Sequence, residues 1–265
     1  MPYNLKITSF SLTITVLLLI ILTGCNFLSH GKPDAEIAID LSQPGKTFPK
    51  NMYGHVIGDL KLNAYVKGEA EKGSLKTALN MAAKMIAMEN NLDSIGSISD
   101  SSASFYLFDQ IANQGLKDDH LQKSIHTPAY YSLKMFSDNQ PDKLMPVTVS
   151  LNGEGLKVKG ISATAGIHEK SGIVIIKLVN LNNVPSRCRI VLKYKQQIKY
   201  KGEVIVLASG NSMDRNSLKE PEKVVPMTKD VNGLRNTFNY ECPANAIVII
   251  HLRYKKGING FVDCC

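Results

Sequence analysis

The sequence contains no tryptophan, and aromatic residues make up only 7% of it. A binding surface made of indole rings is therefore excluded. Any ring platform must come from tyrosine, whose rings in a sheet usually pack with the hydroxyl at the edge. Long apolar runs are missing beyond the first 25 residues, which excludes a polytopic helical membrane protein. There is no Cys-x-x-Cys pair, and the six histidines (His30, His55, His120, His126, His168, His251) lack ligand spacing, so no metal is expected. Basic residues do not cluster into a long run. With 31 Lys plus Arg against 23 Asp plus Glu, the net charge of +8 gives no nucleic-acid arm. A content of 44% hydrophobic and 20% charged residues sets aside disorder and coiled coil, and no cofactor motif is present.

The N-terminus carries one cation, Lys6, then an apolar stretch from Ile14 to Leu22, then Leu22-Thr23-Gly24-Cys25. This resembles a bacterial lipoprotein signal. The apolar core is short for a spanning helix, and small residues before a cysteine suit cleavage at Cys25 with lipid on that thiol. Residues 1–24 are therefore expected to be a signal peptide. The expected location is a membrane-anchored lipoprotein of the periplasm or cell surface. Four further cysteines remain, Cys188, Cys242, Cys264 and Cys265. An oxidising compartment can pair them, while the strand-like surroundings of Cys188 and Cys242 equally fit buried thiols.

Charge divides the rest of the chain. Cys25 to Asp142 holds 11 basic and 14 acidic residues, whereas Lys143 to Cys265 holds 19 and 9. Two segments, 25–142 and 143–265, follow, with a boundary near Pro141 to Pro146. The second reads as all-β. Leu156 to Ile161, Ile173 to Asn180, Arg187 to Tyr194, Glu203 to Ala208, Leu234 to Tyr240 and Ala246 to Leu252 are short runs rich in Val, Ile, Tyr and Phe. Asn152-Gly153, Ser171-Gly172, Asn182-Asn183, Lys201-Gly202 and Asn232-Gly233 supply turn signals. Strands at this spacing form a sandwich, and the order within Arg187 to Tyr194 gives one solvated, basic face. In the first segment, Ala35 to Leu41 and Met52 to Ile57 read as strands. Gly73 to Asn90 has helical periodicity, with Leu75, Leu79, Ala82 and Ile86 on one stripe and Met81, Met85 and Met88 as core filling. Ser97 to Ser104 reads as a loop. Thr127-Pro128 opens a second helix running to about Ser137, with threonine as N-cap and proline in the first turn.

Particular residues carry a family resemblance. Thr127-Pro128-Ala129-Tyr130-Tyr131, Lys134-Met135-Phe136-Ser137 and Pro146-Val147-Thr148-Val149 resemble the final barrel helix and exit strand of α-L-arabinofuranosidases of glycoside hydrolase family fifty-one. The stretch from Asn211 to Pro226 is similar to that family's Asn-Ser-Phe-x-Glu-Pro-x-Lys-Val-Val-Pro near the end of its C-terminal sandwich. Lys177-Leu178-Val179-Asn180 resembles its Lys-Val-Val-Asn strand, and Pro243-Ala244-Asn245-Ala246 its closing Pro-x-x-Ser. Gly73-Ser74-Leu75 through Glu89-Asn90-Asn91 resembles the late barrel helix from Gly-Ser-Leu to Leu-Glu-Arg-Asn, and Ile37 to Leu60 the N-terminal strand and first part of the barrel. The resemblance implies a mainly β fold: a C-terminal β-sandwich, completed by Ala35 to Leu41, with a small α/β remnant of a (β/α)8 barrel beside it. A whole barrel takes about 200 residues or more, and segment 25–142 is shorter than that.

By resemblance the family reaction is hydrolysis of terminal α-L-arabinofuranosyl groups in arabinan or arabinoxylan, by a retaining mechanism that needs two carboxyl groups about 5–5.5 Å apart. The family's acid/base is the glutamate of an Asn-Glu motif, a dipeptide this sequence does not contain. The nucleophile position falls on Asn63 or Ala64, and the substrate-holding glutamate on Gly58. Adjacent acids such as Glu69 and Glu71, or Asp118 and Asp119, read as solvated charges, because neighbouring side chains diverge. No catalytic residue is nominated. Three readings stay open: an active arabinofuranosidase with carboxylates in an unexpected arrangement or supplied by an oligomer, a non-catalytic lipoprotein binding arabinose-containing polysaccharide or a partner, and a gene remnant. For a binder the candidate rings are Tyr130, Tyr131, Tyr194, Tyr200, Tyr240 and Tyr254. The candidate basic strip is Arg187, Arg189, Lys193, Lys195, Lys199 and Lys201, which reads equally as a lysine-protected sheet edge.

Overall fold

In a computed structural model of the chain, residues 32–49, 52, 73–92, 108–109, 125–151, 160–194, 200–253, 255–256 and 262–263 are described. Pro33–Cys265 form one compact unit. In chain order its elements are β1 (Ala35–Asp40), β2 (Lys46–Thr47), α1 (Leu75–Asn90), β3 (Phe108–Asp109), β4 (Ile125–His126), α2 (Pro128–Asp138), β5 (Lys143–Met145), β6 (Val147–Leu151), β7 (Ile161–His168), β8 (Ile173–Asn180), β9 (Ser186–Lys193), β10 (Tyr200–Ala208), β11 (Met227–Leu234), β12 (Thr237–Cys242), β13 (Ala246–Arg253), β14 (Lys255–Lys256) and β15 (Val262–Asp263).

Two sheets make the sandwich. One has the order β12-β9-β1-β6 and the other β11-β10-β13-β8-β7-β5-β2. β1 lies inside the smaller sheet, antiparallel to β6 and parallel to β9, so the N-terminal strand completes the sandwich. Alternation decides its orientation: Ala35, Ile37 and Ile39 are buried between the sheets, and Glu36, Ala38 and Asp40 face outward. β9 alternates the same way, with Cys188, Ile190 and Leu192 inside and Arg189 and Lys193 exposed.

β8 and β13 are apolar on both faces, because each lies between two layers. Ile176, Leu178, Val248 and Ile250 meet the smaller sheet, while Ile175, Val179, Ile247 and Ile249 meet the helices. The stripe Leu75, Leu79, Ala82 and Ile86 is wholly buried against that second face, as are Met81 and Met85. The helices thus form a third layer on the seven-stranded sheet. Ser132 Oγ of α2 donates to the carbonyl of Ala78 in α1 at 3.3 Å. Both groups lie near the starts of their helices, and near the ends Phe136 of α2 and Glu89 of α1 both meet Lys177, so the two run side by side in the same sense.

Several boundaries differ from the sequence reading. Lys201-Gly202 is not a turn: it lies in β10, where the ladder to β11 shifts register between Tyr200 and Gly202. A Cβ on Gly202 would stand 1.7 Å from the His251 carbonyl oxygen, so glycine is there for close backbone approach. Asn232-Gly233 likewise lies within β11, and the expected strand Leu234 to Tyr240 breaks at Arg235-Asn236, where the Asn236 carbonyl accepts from Leu192 N–H at 2.7 Å. At Lys201-Gly202 long-range pairing overrides local turn propensity, whereas Asn232-Gly233 falls in the irregularity of the same ladder, between the pairs Val231–Gly202 and Leu234–Tyr200. β7, with Ala163, Ala165 and Gly166 in its middle, gave no strand signal and begins where Leu156 to Ile161 was expected to end. Gly166 accommodates the Lys143 carbonyl and the Pro141 ring, each 2.5 Å from where a Cβ would sit. The Ser171-Gly172 turn is present, with Gly172 at φ 62°. Beyond Met52, the run expected as a strand over Met52 to Ile57 lies outside the described residues, as do Ser97 to Ser104 and Asn152-Gly153.

Candidate functional site

The segment from Ser209 to Pro226 connects β10 to β11 and fastens the helical layer. Ser74, the N-cap of α1, makes no side-chain capping bond. Instead Leu75 N–H donates to the Asp214 carbonyl at 2.8 Å and Lys76 N–H to the Ser212 carbonyl at 2.6 Å, which satisfies two of the amides a helix start leaves over. α2 is capped conventionally: Thr127 Oγ1 accepts from Tyr130 N–H at 3.2 Å, and Pro128 occupies the first turn. Asn216 ties the same segment to α2. Its buried carboxamide donates to the carbonyls of His126 (2.9 Å) and Val224 (3.0 Å) and accepts from Val224 N–H (2.7 Å). Asp214 accepts a short hydrogen bond from Ser209 Oγ and lies 3.1 Å from Lys223 Nζ. The Ser209 bond foremost, then Lys223, holds its carboxyl below the usual range.

A second fastening lies in the helix–sheet core. Lys177 Nζ of β8 is 2.5 Å from Glu89 Oε1 of α1, and the two side chains are 2% and 0% exposed. The Phe136 ring centroid is 4.7 Å from the ammonium and that of Phe48 5.9 Å, a cation–π arrangement on top of the ion pair. Burial pulls the Lys177 pKa down, and Glu89 partly offsets this. Thr164 sits opposite Lys177 in the β7–β8 register, also buried. A charged side chain inside Ile-Val-Ile-Ile-Lys-Leu-Val, and a glutamate in phase with the α1 stripe, were the sequence signals for this pair. Neither residue by itself identifies its partner. At the far end of β8, Asn180 donates to the carbonyls of Val184 (3.0 Å) and Pro243 (2.8 Å) and accepts from Asn182 N–H (3.0 Å), locking two turns together.

Three rings gather where α2 begins. His126 stacks on Tyr130 with centroids 4.0 Å apart and planes 12° from parallel. Tyr131 meets His126 edge-on at 5.8 Å and Tyr130 at 5.5 Å. His126 is exposed and Tyr130 half-buried, while Tyr131 packs on the helix–sheet core. Burial foremost, and then the negative charge of Glu222, raises the Tyr131 hydroxyl's pKa.

Against known proteins, residues 61–246 match the model of the α-L-arabinofuranosidase C-terminal domain. The chain belongs to that family. No curated protein matches it. Among solved structures it is similar to an arabinose-bound family 51 α-L-arabinofuranosidase designated MgGH51, at 20% identity and TM-score 0.53, over 69% of this chain and 28% of that one. It is also similar to a second arabinofuranosidase (15%, TM-score 0.52, 71% and 40%) and to the family 51 α-L-arabinofuranosidase AbfB of Bifidobacterium longum (15%, TM-score 0.50, 68% and 35%). The chain therefore spans less than half the length of these enzymes, and the likeness is one of fold.

Within this arabinofuranosidase-type domain the other candidates fall as follows. Cys25, Gly58, Asn63 and Ala64 lie outside the described residues, as do Glu69, Glu71, Asp118, Asp119, Lys195, Lys199 and Tyr254. Tyr194 and Tyr240 are half-buried against the inter-sheet core. The basic strip is interleaved with acids: Arg189 is 3.8 Å from Glu36, and Arg187 and Lys193 sit opposite Glu241 and Asp40 in register. Cross-strand pairing of this kind offsets the attraction the strip would exert on a polyanion. Cys188 and Cys242 are free, buried thiols. Burial raises both pKa values, that of Cys188 to about 12. Among the described residues no group of His, Cys, Asp and Glu could hold a metal ion.

Proposed function

We propose that this chain is an exported lipoprotein, held to a membrane through Cys25, whose arabinofuranosidase-type domain binds arabinose-containing polysaccharide without hydrolysing it. One observation carries the non-catalytic reading. The sequence has no Asn-Glu dipeptide, and the aligned nucleophile position holds Asn63 or Ala64, so neither of the two carboxyl groups of a retaining mechanism is supplied at the family's positions. Gly58 at the substrate-holding position points the same way. The motif from Leu22 to Cys25 supports the anchor. Family membership supports the choice of sugar.

The test is release of p-nitrophenol from p-nitrophenyl α-L-arabinofuranoside by the purified protein, with Glu69→Gln and Glu71→Gln as controls. No release above buffer is expected. Turnover that survives both controls would establish the other reading, an active arabinofuranosidase whose carboxylates are assembled by an unexpected arrangement or an oligomer. The anchor is tested by cell fractionation, where the Cys25→Ser chain is expected to leave the membrane fraction.

A further inference from the structure

β11 is an edge strand of the seven-stranded sheet, and its pairing with β10 is interrupted once. The register passes from Val231 opposite Gly202 to Leu234 opposite Tyr200, so two residues, Asn232 and Gly233, stand against one, Lys201. This is a β-bulge, in which the extra residue leaves the regular ladder and the strand bends. Val231 and Leu234 both pack on the inter-sheet core, as does Val204 of β10. By alternation Lys201 projects from the opposite face of the sheet, and the bulge turns the exposed Asn232 to that same face.

Charge on this face is the second observation. Lys201 lies directly opposite Arg253 in the β10–β13 ladder, both are exposed, and among the described residues neither is in an ion pair. Like charges directly opposite each other destabilise a sheet. The next acid along β10, Glu203, is engaged by His251 at 2.9 Å and has Asp230 across from it. Asn232 thus brings an uncharged carboxamide to the bulge where a carboxylate would be favoured.

We propose that Asn232 is a site of spontaneous deamidation, and that the carboxylate formed there supplies the counter-charge that Lys201 and Arg253 lack. The Gly233 amide nitrogen gives its proton to water and attacks Cγ of Asn232, forming a C–N bond. The Cγ–Nδ2 bond breaks, and Nδ2 takes up a proton and leaves as ammonia. Water then opens the five-membered imide: cleavage between nitrogen and Cγ gives aspartate, and cleavage between nitrogen and the main-chain carbonyl gives isoaspartate. The chain loses ammonia, gains water and acquires one negative charge. Glycine favours the attack because it puts no Cβ in the way. In a regular internal strand, turning the Asn–Gly peptide toward Cγ would break ladder bonds on both sides, and the bulge at an open edge removes most of that restraint.

The experiment incubates the full chain, folded in detergent, in mildly alkaline buffer and follows the peptide spanning residue 232 by mass spectrometry. The expected result is a gain of about one dalton at Asn232 over days, slowed tenfold or more in Gly233→Ala. Should Gly233→Ala lower the melting temperature, Asn232→Gln takes its place, since the longer side chain closes its imide far more slowly. A folded chain that keeps the amide while the urea-unfolded chain loses it would overturn the site, because the ladder would then protect it. The counter-charge is read separately, by thermal melting at low salt. Asn232→Asp is expected to melt above the wild type, and this gain is expected to vanish when Lys201→Gln and Arg253→Gln are added. Melting at or below the wild type, or a gain that survives the loss of both cations, would overturn the pairing.

Discussion

Glu89→Gln removes one charge from the ion pair that joins α1 to β8 while keeping shape and hydrogen-bonding capacity. Both partners are essentially inaccessible and 2.5 Å apart, so the deletion strands an ammonium among apolar groups. Losing one partner of a buried pair costs about 3–5 kcal/mol. The Phe136 and Phe48 faces stay in place and keep the loss toward the lower end. Lys177 can also shed its proton. Its pKa is already depressed by burial, against the pull of Glu89, and removing Glu89 leaves burial unopposed. The unfolded chain holds that proton up to about pH 10.4. Between the folded and unfolded values the unfolded state binds more protons, so the stability of the variant rises with pH, by at most about 1.4 kcal/mol per pH unit. In urea unfolding followed by far-UV circular dichroism, the variant is expected to lose about 3 kcal/mol at pH 7 with unchanged m. That corresponds to a melting temperature lower by roughly 6–12 °C. Part of the loss is recovered at pH 9.5. Glu89→Leu with Lys177→Met, which leaves no charge behind, is expected within about 2 kcal/mol of wild type or above it. A loss below about 1 kcal/mol in Glu89→Gln, or one that does not change with pH, would refute the account of a desolvated pair.

Asn216→Ala deprives the Val224 N–H and the His126 and Val224 carbonyls of their partner. With unsatisfied buried groups costing about 1–3 kcal/mol each when unrelaxed, a loss of roughly 2–4 kcal/mol is expected. Hydrogen exchange should show the first-turn amides of α1 and α2 opening well before those of β8 and β13. Asp214 has its pKa lowered first by Ser209 and then by Lys223. Its contribution to stability is present above the unfolded value of about 3.9 and is lost as pH falls through the lower folded value. Asp214→Asn should therefore flatten the acid limb of the stability curve below about pH 5 and also remove the fall that Lys223, its pKa raised by Asp214, adds to the alkaline limb, which acid and base titration followed by circular dichroism will read.

What the sequence made legible was what short-range chemistry decides. Thr127-Pro128 marked the start of α2 because capping and a fixed φ are local, and the stripe from Leu75 to Ile86 marked α1 because burial repeats every three to four residues. Ile173 to Asn180 was read to the residue because it is apolar on both faces. β7 escaped because Ala163, Ala165 and Gly166 have little strand propensity, and at Gly166 the Lys143 carbonyl and the Pro141 ring leave no room for a side chain. Lys201-Gly202 misled because β13 pairs with both residues and holds them extended, and Asn232-Gly233 because its turn residues serve an irregularity inside a ladder instead of a turn between strands. Of the ring cluster at the start of α2, Tyr130 and Tyr131 were visible as tyrosines, while His126, which stacks on Tyr130, precedes the helix and carries no local sign of joining them.

The residues that carry the family likeness are spent on internal contacts. Asn216 uses its carboxamide within the fold, Asn180 does the same between two turns, and Lys177 faces Glu89 in the dry core. Asp214, Ser212 and Asn216 together hold the starts of both helices. Such residues report an architecture, a sandwich with two parallel helices laid on its larger sheet, and they require it whether or not a reaction takes place there. Chemistry belongs to sites carried by a fold and not to the fold itself. A domain that retains these fastenings can therefore fold as its relatives do without that fold deciding which reaction it carries.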